Sequence, residues 1–286
     1  MVCLDLTEMD RILIQYTSYL CRIIKDVEHV IFVHNIKFDY PEEANEIIDT
    51  LEKPLDEVLS EVIMEKMGSH FISHDRIKTQ IHVEQNMSTP RALSELARTN
   101  QAELLIGGKK INYKGSGKVL DVLLRQTNFN ASLLMVPETT HHQLERILIP
   151  TDFSKASKKA LIYGNYLKQF SRANLECQHV MNIPAHYFPY IPVENVEEKM
   201  QKSAHKQWKN FVKGFGDELI SELTCRFTFN KGKNTAQTIY DFALCEKKDL
   251  IIVSVKGKGA LTSFLVGSVA SRLIQLDMHI PLLVLK

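Results

Sequence analysis

The chain spells out one α/β plan twice, and that repetition restricts its fold more than any single motif. In residues 144–286 an apolar run, Leu144 to Ile149, ends at Pro150 and reads as a strand. Ser154 is placed as an N-cap, and Lys155 to Phe170 carries Ala156, Ala160, Leu161, Tyr163 and Leu167 at helical spacing. A strand at Leu175 to Asn182 leads to a Pro- and aromatic-rich loop, Ile183 to Pro192, and a helix from Val196 to Phe211, extending towards Phe215. A strand at Thr224 to Phe229, a helix at Thr235 to Glu246 and a β-branched buried strand at Leu250 to Val253 follow. A helix from Val269 and a strand at Pro281 to Leu285 complete the copy.

The first half predicts the same order. Its strands are Val2 to Thr7, Val30 to Asn35, Thr79 to Glu84, Ala102 to Gly107 and Ser132 to Val136. The helices between them are Met9 to Ile24, Lys53 to Met67, Pro90 to Asn100 with proline in its first turn, and Val119 to Gln126. Strands alternating with helices of this length form a parallel sheet with crossover helices. The chain therefore reads as two tandem five-stranded α/β domains, 1–138 and 144–286, joined by the short polar linker Pro137 to Gln143.

The chemistry concentrates after the fourth strand of the second copy. Val253 is followed by Ser254, Val255, Lys256, Gly257, Lys258 and Gly259, and then by Gly267 and Ser268 ahead of a helical pattern. Glycine lets backbone N–H groups approach an anion, and a helix start presents unpaired N–H groups with the positive end of its dipole. Strand, glycine-lysine loop and Gly-Ser helix start together describe a phosphate cradle. An ordinary strand-to-helix turn with solvated lysines has the same pattern, and spacing alone does not separate the two.

With a net charge of +1, no overall field draws the chain to nucleic acid or a membrane. No apolar run reaches membrane-spanning length, and the N-terminus lacks a signal-peptide pattern. Five widely spaced cysteines without a Cys-x-x-Cys pair read as reduced thiols, mostly buried, in a cytoplasmic protein.

Other motifs fail on context. Gly257, Gly259 and Thr262 resemble a dinucleotide fingerprint, but only one strand follows them. Gly117-Lys118 is not a P-loop, because Val119 stands where a Ser or Thr must bind magnesium. His70 and His74 have helical metal-ligand spacing but no third ligand, and His141-His142 in the linker reads as solvent-exposed. No nucleophile–base constellation can be assembled, so neither catalytic residues nor a metal site are assigned.

The run Ile147 to Ser154, His179-Val180 ending the second strand, and Gly257, nine residues, Gly267, Ser268 are similar to the universal stress protein family. The family motif has another glycine three residues before Gly257; here Ser254 stands in its place, adding a Cβ where ligand and backbone approach closely. The resemblance covers both halves and implies a tandem member with strand order 3-2-1-4-5, a fold like that of the adenine nucleotide alpha hydrolases. In that order the sheet reverses between strands 1 and 4, where open parallel sheets bind ligands.

The resemblance implies binding of ATP or a related adenine nucleotide, with Mg2+ as a possible companion. Carried over by position, Pro150, Thr151, Asp152 and Val180 hold base and ribose, and Gly257, Gly267 and Ser268 hold ribose and phosphates, with Ser254 beside them. Lys256 and Lys258 are added for their charge near the phosphates. The implied role is stress sensing or regulation with at most slow hydrolysis; a nucleotide-free scaffold working by dimerisation or protein binding is the alternative. In the first half Ile111 aligns with Gly257, Gly117 with Gly267 and Lys118 with Ser268, so that site is expected to be degenerate. The last strands, Leu133 to Val136 and Leu282 to Leu285, are expected at sheet edges. Family members commonly pair that edge, so the resemblance implies an internal pseudo-dimer and leaves a further homodimer open.

Overall fold

A computed structural model describes residues 1–37, 48, 50–72, 74–111, 118–126, 129–183, 193–213, 215, 223–230, 232–255 and 266–286. The chain divides into two compact units, Met1–His142 and Gln143–Leu285.

In the first unit the elements are β1 (Val2–Leu4), α1 (Met9–Ile23), β2 (His29–Ile36), α2 (Leu55–His70), β3 (Lys78–Gln85), α3 (Thr89–Thr99), β4 (Leu104–Lys109), α4 (Lys118–Arg125) and β5 (Ser132–Pro137). Its strands lie in the order β3-β2-β1-β4-β5, all parallel. The second unit has β6 (Arg146–Pro150), α5 (Lys155–Ser171), β7 (Asn174–Met181), α6 (Val193–Val212), β8 (Thr224–Phe229), α7 (Thr235–Cys245), β9 (Leu250–Ser254), α8 (Ser268–Gln275) and β10 (Leu282–Leu285). Its order is β8-β7-β6-β9-β10, again parallel. Each unit thus has the 3-2-1-4-5 order in its own numbering.

Local chemistry sets several boundaries. β1 stops at Leu4 rather than running to Thr7, because Asp5 Oδ1 accepts from the Thr7 amide at 3.2 Å while Leu6 turns to φ 62°. α2 starts after Pro54 rather than at Lys53, since a residue before proline is kept out of the helical region. β4 runs on through Gly107 and Gly108 to Lys109, in register with Met135, Val136 and Pro137. A Cβ on Gly108 would lie 2.6 Å from Met9 Cγ, so the glycine lets α1 settle against the strand end.

In the second unit side chains alternate between the two sheet faces. Ile149, Ile252 and Ser254 face α5, whose Gly164 permits close approach: a Cβ there would meet Ile149 Cδ1 at 2.6 Å. The opposite face carries Leu148 and Pro150 of β6, in register with Glu176 and Gln178 of β7, and Ile251 of β9. On that face buried Lys248 donates to Glu176 Oε2 at 2.5 Å, and Arg226 donates to Glu176 Oε1 at 2.8 Å. Burial works against the Glu176 charge, but the two cations outweigh it and hold the carboxyl below the usual range.

The cysteines are all free; Cys21 and Cys177 are buried, Cys3 and Cys225 half-buried, and Cys245 exposed at the end of α7. Burial pushes the Cys225 thiol up to about 12, so it stays protonated. Among the described residues no helix is long and apolar enough to cross a membrane.

Candidate functional site

The sheet of the second unit opens where its order reverses. β6 and β9 are neighbours, yet they pair only at Ile147 with Leu250 and Leu148 with Ile251. Beyond that point β6 stays with β7 through Pro150 and Gln178, and β9 stays with β10 through Ser254 and Leu285. The two strand ends part, and right-handed crossovers send their loops to opposite faces. The result is a crevice with Pro150, Thr151 and Asp152 on one lip and Ser254 and Val255 on the other.

The β6 lip is held from several sides. The Thr151 amide donates to the Gln178 carbonyl at 2.8 Å, and His179 Nδ1 donates to the Thr151 carbonyl at 2.8 Å. Phe153 adopts φ 61°, a conformation rare for a bulky side chain, and its ring stacks on His179 with centroids 4.3 Å apart. Asp152 Oδ1 accepts from Ser157 Oγ at 2.6 Å and from the Ser154 amide at 3.0 Å. Ser154 caps α5 as expected, accepting from the Ser157 amide. Asp152 therefore organises the turn as well as bordering the crevice. Ser157, which fixes its orientation, was not singled out from the sequence; it stands five residues on, where a helix start returns to the strand end.

On the β9 lip, Ser254 is extended and its side chain turns to α5, where Oγ donates to the Ala156 carbonyl at 2.5 Å. Its side chain thus lies on the sheet face towards α5. The Val255 amide donates to the Leu285 carbonyl, and the Gly267 amide donates to the Val255 carbonyl at 2.5 Å. Gly267 thus spends its N–H within the chain rather than offering it at the crevice. As N-cap of α8 it contributes no side-chain cap, and exposed Ser268 is the first helical residue. Val180, next to the last residue of β7, lies opposite Thr228 and is half-buried. Lys256, Gly257 and Lys258 lie outside the described residues. No cluster of three or more His, Cys, Asp or Glu suited to a metal ion occurs among the described residues.

In the first unit β1 and β4 pair only at Val2 with Ile106, and His34 Nδ1 donates to the Leu4 carbonyl at 3.0 Å. The turn at Leu6 repeats that at Phe153. The contents of this crevice differ: Lys110 Nζ reaches across from the end of β4 to Asp5 Oδ2 at 3.0 Å. Burial opposes the Asp5 charge, but hydrogen bonds from Thr7 and Lys110 hold its carboxyl below the usual range. Asp10 stands at the Ser157 position; wholly buried, it accepts from the Asp5 amide at 3.0 Å and pairs with Lys66 Nζ at 3.0 Å. Burial pushes the Asp10 carboxyl up, with Lys66 pulling part of the way back. An internal ion pair spans the place that the second unit leaves to Asp152. Neither pair was foreseen, since Asp10 and Lys66 are far apart in sequence.

Comparison with known proteins places this geometry. The universal stress protein family model matches residues 143–286. Universal stress protein MJ0531 of Methanocaldococcus jannaschii is 30% identical over 150 residues, which span 50% of this chain and 82% of that protein. A universal stress protein from Archaeoglobus fulgidus superposes on 100% of this chain and 97% of its own, with TM-score 0.64 and 16% identity. PA1789 from Pseudomonas aeruginosa, described as functionally unknown, covers 100% of this chain and 91% of its own, with TM-score 0.66 and 12% identity. At these identities the two structural likenesses are of fold.

Proposed function

The chain belongs to the universal stress protein family, and on that premise we propose that its second unit binds ATP or a related adenine nucleotide in the crevice between β6 and β9. The observation that carries this reading is the early end of β6–β9 pairing, after Leu148 and Ile251, which opens the sheet beside Asp152 and the start of α8. Pro150, Thr151 and Val180, near the end of β7, border the base and ribose end. Asp152, already oriented by Ser154 and Ser157, faces the ribose. The start of α8 at Ser268, with its positive dipole end, faces the phosphates. Lys256, Gly257 and Lys258 complete the phosphate side by sequence position, and magnesium would accompany the phosphates rather than a protein ligand cluster. The Asp5–Lys110 pair supports assigning one nucleotide to the chain, in the second unit. A nucleotide-binding unit beside one closed by its own ion pair suits sensing or regulation, in a cytoplasmic setting, better than turnover.

Calorimetric titration of the purified full chain with ATP tests the reading, together with analysis of any nucleotide released on heating. One equivalent of adenine nucleotide per chain is expected. No binding and no released nucleotide would leave the scaffold role in its place.

A further inference from the structure

A net charge near zero conceals an uneven division. Residues 143–286 hold 20 of the 35 Lys and Arg but 13 of the 34 Asp and Glu, a net +7, and residues 1–142 are left with 15 against 21, a net −6. The helix between the second and third strands of each unit shows the division most sharply.

In the second unit that helix is α6. Its Lys199, Lys202, Lys206 and Lys209, with Lys213 just past its end, recur at alternating steps of three and four and so line one face. All five are exposed. The other side of the helix packs inward, with Ala204 and Val212 buried and Trp208 and Phe211 set against Phe153. Among the described residues Lys202 alone of the five has a carboxylate partner, Glu198 at 2.6 Å. Like charges three and four apart on a helix repel one another. A row of this kind, about 21 Å long, is stabilised by an anion from outside.

α2 is the counterpart in the first unit, and its outward face has the other sign. Glu57, Glu61 and Glu65, at steps of four, are exposed, while Ile63 is buried on the inner face. Glu61 pairs with Lys53, and among the described residues Glu57 and Glu65 have no ion-pair partner. Met64 and Val62 stand beside this row, 61% and 37% exposed, an apolar surface that lysine stems can cover.

We propose that α6 of one chain docks on α2 of a second copy, its lysine row against Glu57, Glu61 and Glu65. The contact joins two different surfaces and uses neither the last strands nor the nucleotide crevice. A second copy is the occupant because it offers the opposite sign to each half of the chain. A free polyanion attracted by residues 143–286 is repelled by residues 1–142 of the same molecule. The row holds no arginine, the residue that grips phosphate through two parallel hydrogen bonds. Lysine point charges suit a contact made by charge complementarity and weakened by salt.

Sedimentation velocity of the full chain over a range of protein concentrations tests this, at about 0.01 M and about 1 M salt, where charges are felt over roughly 30 Å and 3 Å. At low salt the average mass should rise with protein concentration, above whatever assembly persists at high salt. The triple variant Lys206→Glu/Lys209→Glu/Lys213→Glu should lose that rise, and so should Glu57→Lys/Glu61→Lys/Glu65→Lys. Combining all six changes restores opposite signs across the contact and should restore the rise. Circular dichroism checks that each variant folds; where a reversed variant does not, the matching Lys→Gln or Glu→Gln triple must lose the rise instead. A wild-type mass independent of concentration at low salt would overturn the proposal. So would a six-fold variant that stays dissociated, since the two rows would then not be each other's partners. Wild type that does not self-associate but binds duplex DNA or anionic vesicles, and loses that binding in the α6 variant, would assign the lysine row to those polyanions instead.

Discussion

Ser254 donates its hydroxyl hydrogen bond to the carbonyl of Ala156, tying the end of β9 to the first turn of α5. The matching pair in the first unit is Gly108 with Met9, where a Cβ on the glycine would fall 2.6 Å from Met9 Cγ. The same place is filled differently in the two units: the Met9 side chain lies over a glycine in the first, and a serine hydroxyl reaches the helix backbone in the second.

Ser254→Ala should therefore act on stability and not on the ligand. Loss of one hydrogen bond between β9 and α5 should cost about 0.5–1.5 kcal/mol in a denaturant titration. ATP affinity should remain within about twofold of wild type, since a hydroxyl facing α5 makes no ligand hydrogen bond to lose. A large affinity loss would place the serine hydroxyl in the crevice after all.

Gly267→Asp should abolish nucleotide binding in a folded protein. Gly267 has φ −58°, which any residue adopts, and aspartate is a favourable N-cap, so α8 should hold. A carboxylate at that helix start sets a negative charge where the phosphates approach. Calorimetry should show no heat of ATP binding while circular dichroism is unchanged; retained affinity would move the phosphates elsewhere.

Lys110→Ala should not create a second site. Its partly exposed pair with Asp5 should be worth at most about 1 kcal/mol. Ile111 still stands where the second unit has Gly257, so the ATP stoichiometry should stay at one per chain. A stoichiometry of two in the variant would show that the ion pair alone had kept the first crevice closed.

Glu176→Leu should be the most damaging of these changes. It leaves Lys248 buried without a counter-charge, a loss of about 3–5 kcal/mol. The wild-type carboxyl titrates below its unfolded value near 4.3, so its contribution is complete above that pH and is lost as pH falls through the lower folded value. Stability measured against pH should drop more steeply below about 4 in wild type than in Glu176→Gln, where there is no carboxyl to protonate.

What could be read from the sequence followed patterns within one element. Ser154 announces α5 because a cap acts only a few residues ahead, and the alternation of strands and helices leaves few possible topologies. The 3-2-1-4-5 order, by contrast, came with the family resemblance. The hydrogen bond of Ser254 could not be read, because its acceptor, the Ala156 carbonyl, belongs to a helix turn 98 residues away in sequence. The pairing of Asp10 with Lys66 depends on α2 packing against α1, which periodicity does not encode. The Gly267 amide illustrates the same limit: a helix start predicts unpaired donors, but the return of the chain to Val255 decides which one is consumed.

The left-handed turn at Phe153 has a consequence for the speed of recognition. A bulky residue in that conformation carries about 1–3 kcal/mol of local backbone strain unless its surroundings enforce it. Here the enforcement comes from within: the His179 ring, the hydrogen bond from His179 to Thr151, and the anchoring of Asp152 by Ser157. Leu6 keeps the same geometry in the unit whose crevice its own ion pair spans, so the turn does not await a nucleotide to form it. The Asp152 lip is thereby a rigid half-mould. Association with it should involve little loss of conformational entropy, and changes in affinity among ligands should show in how slowly they leave rather than how fast they arrive.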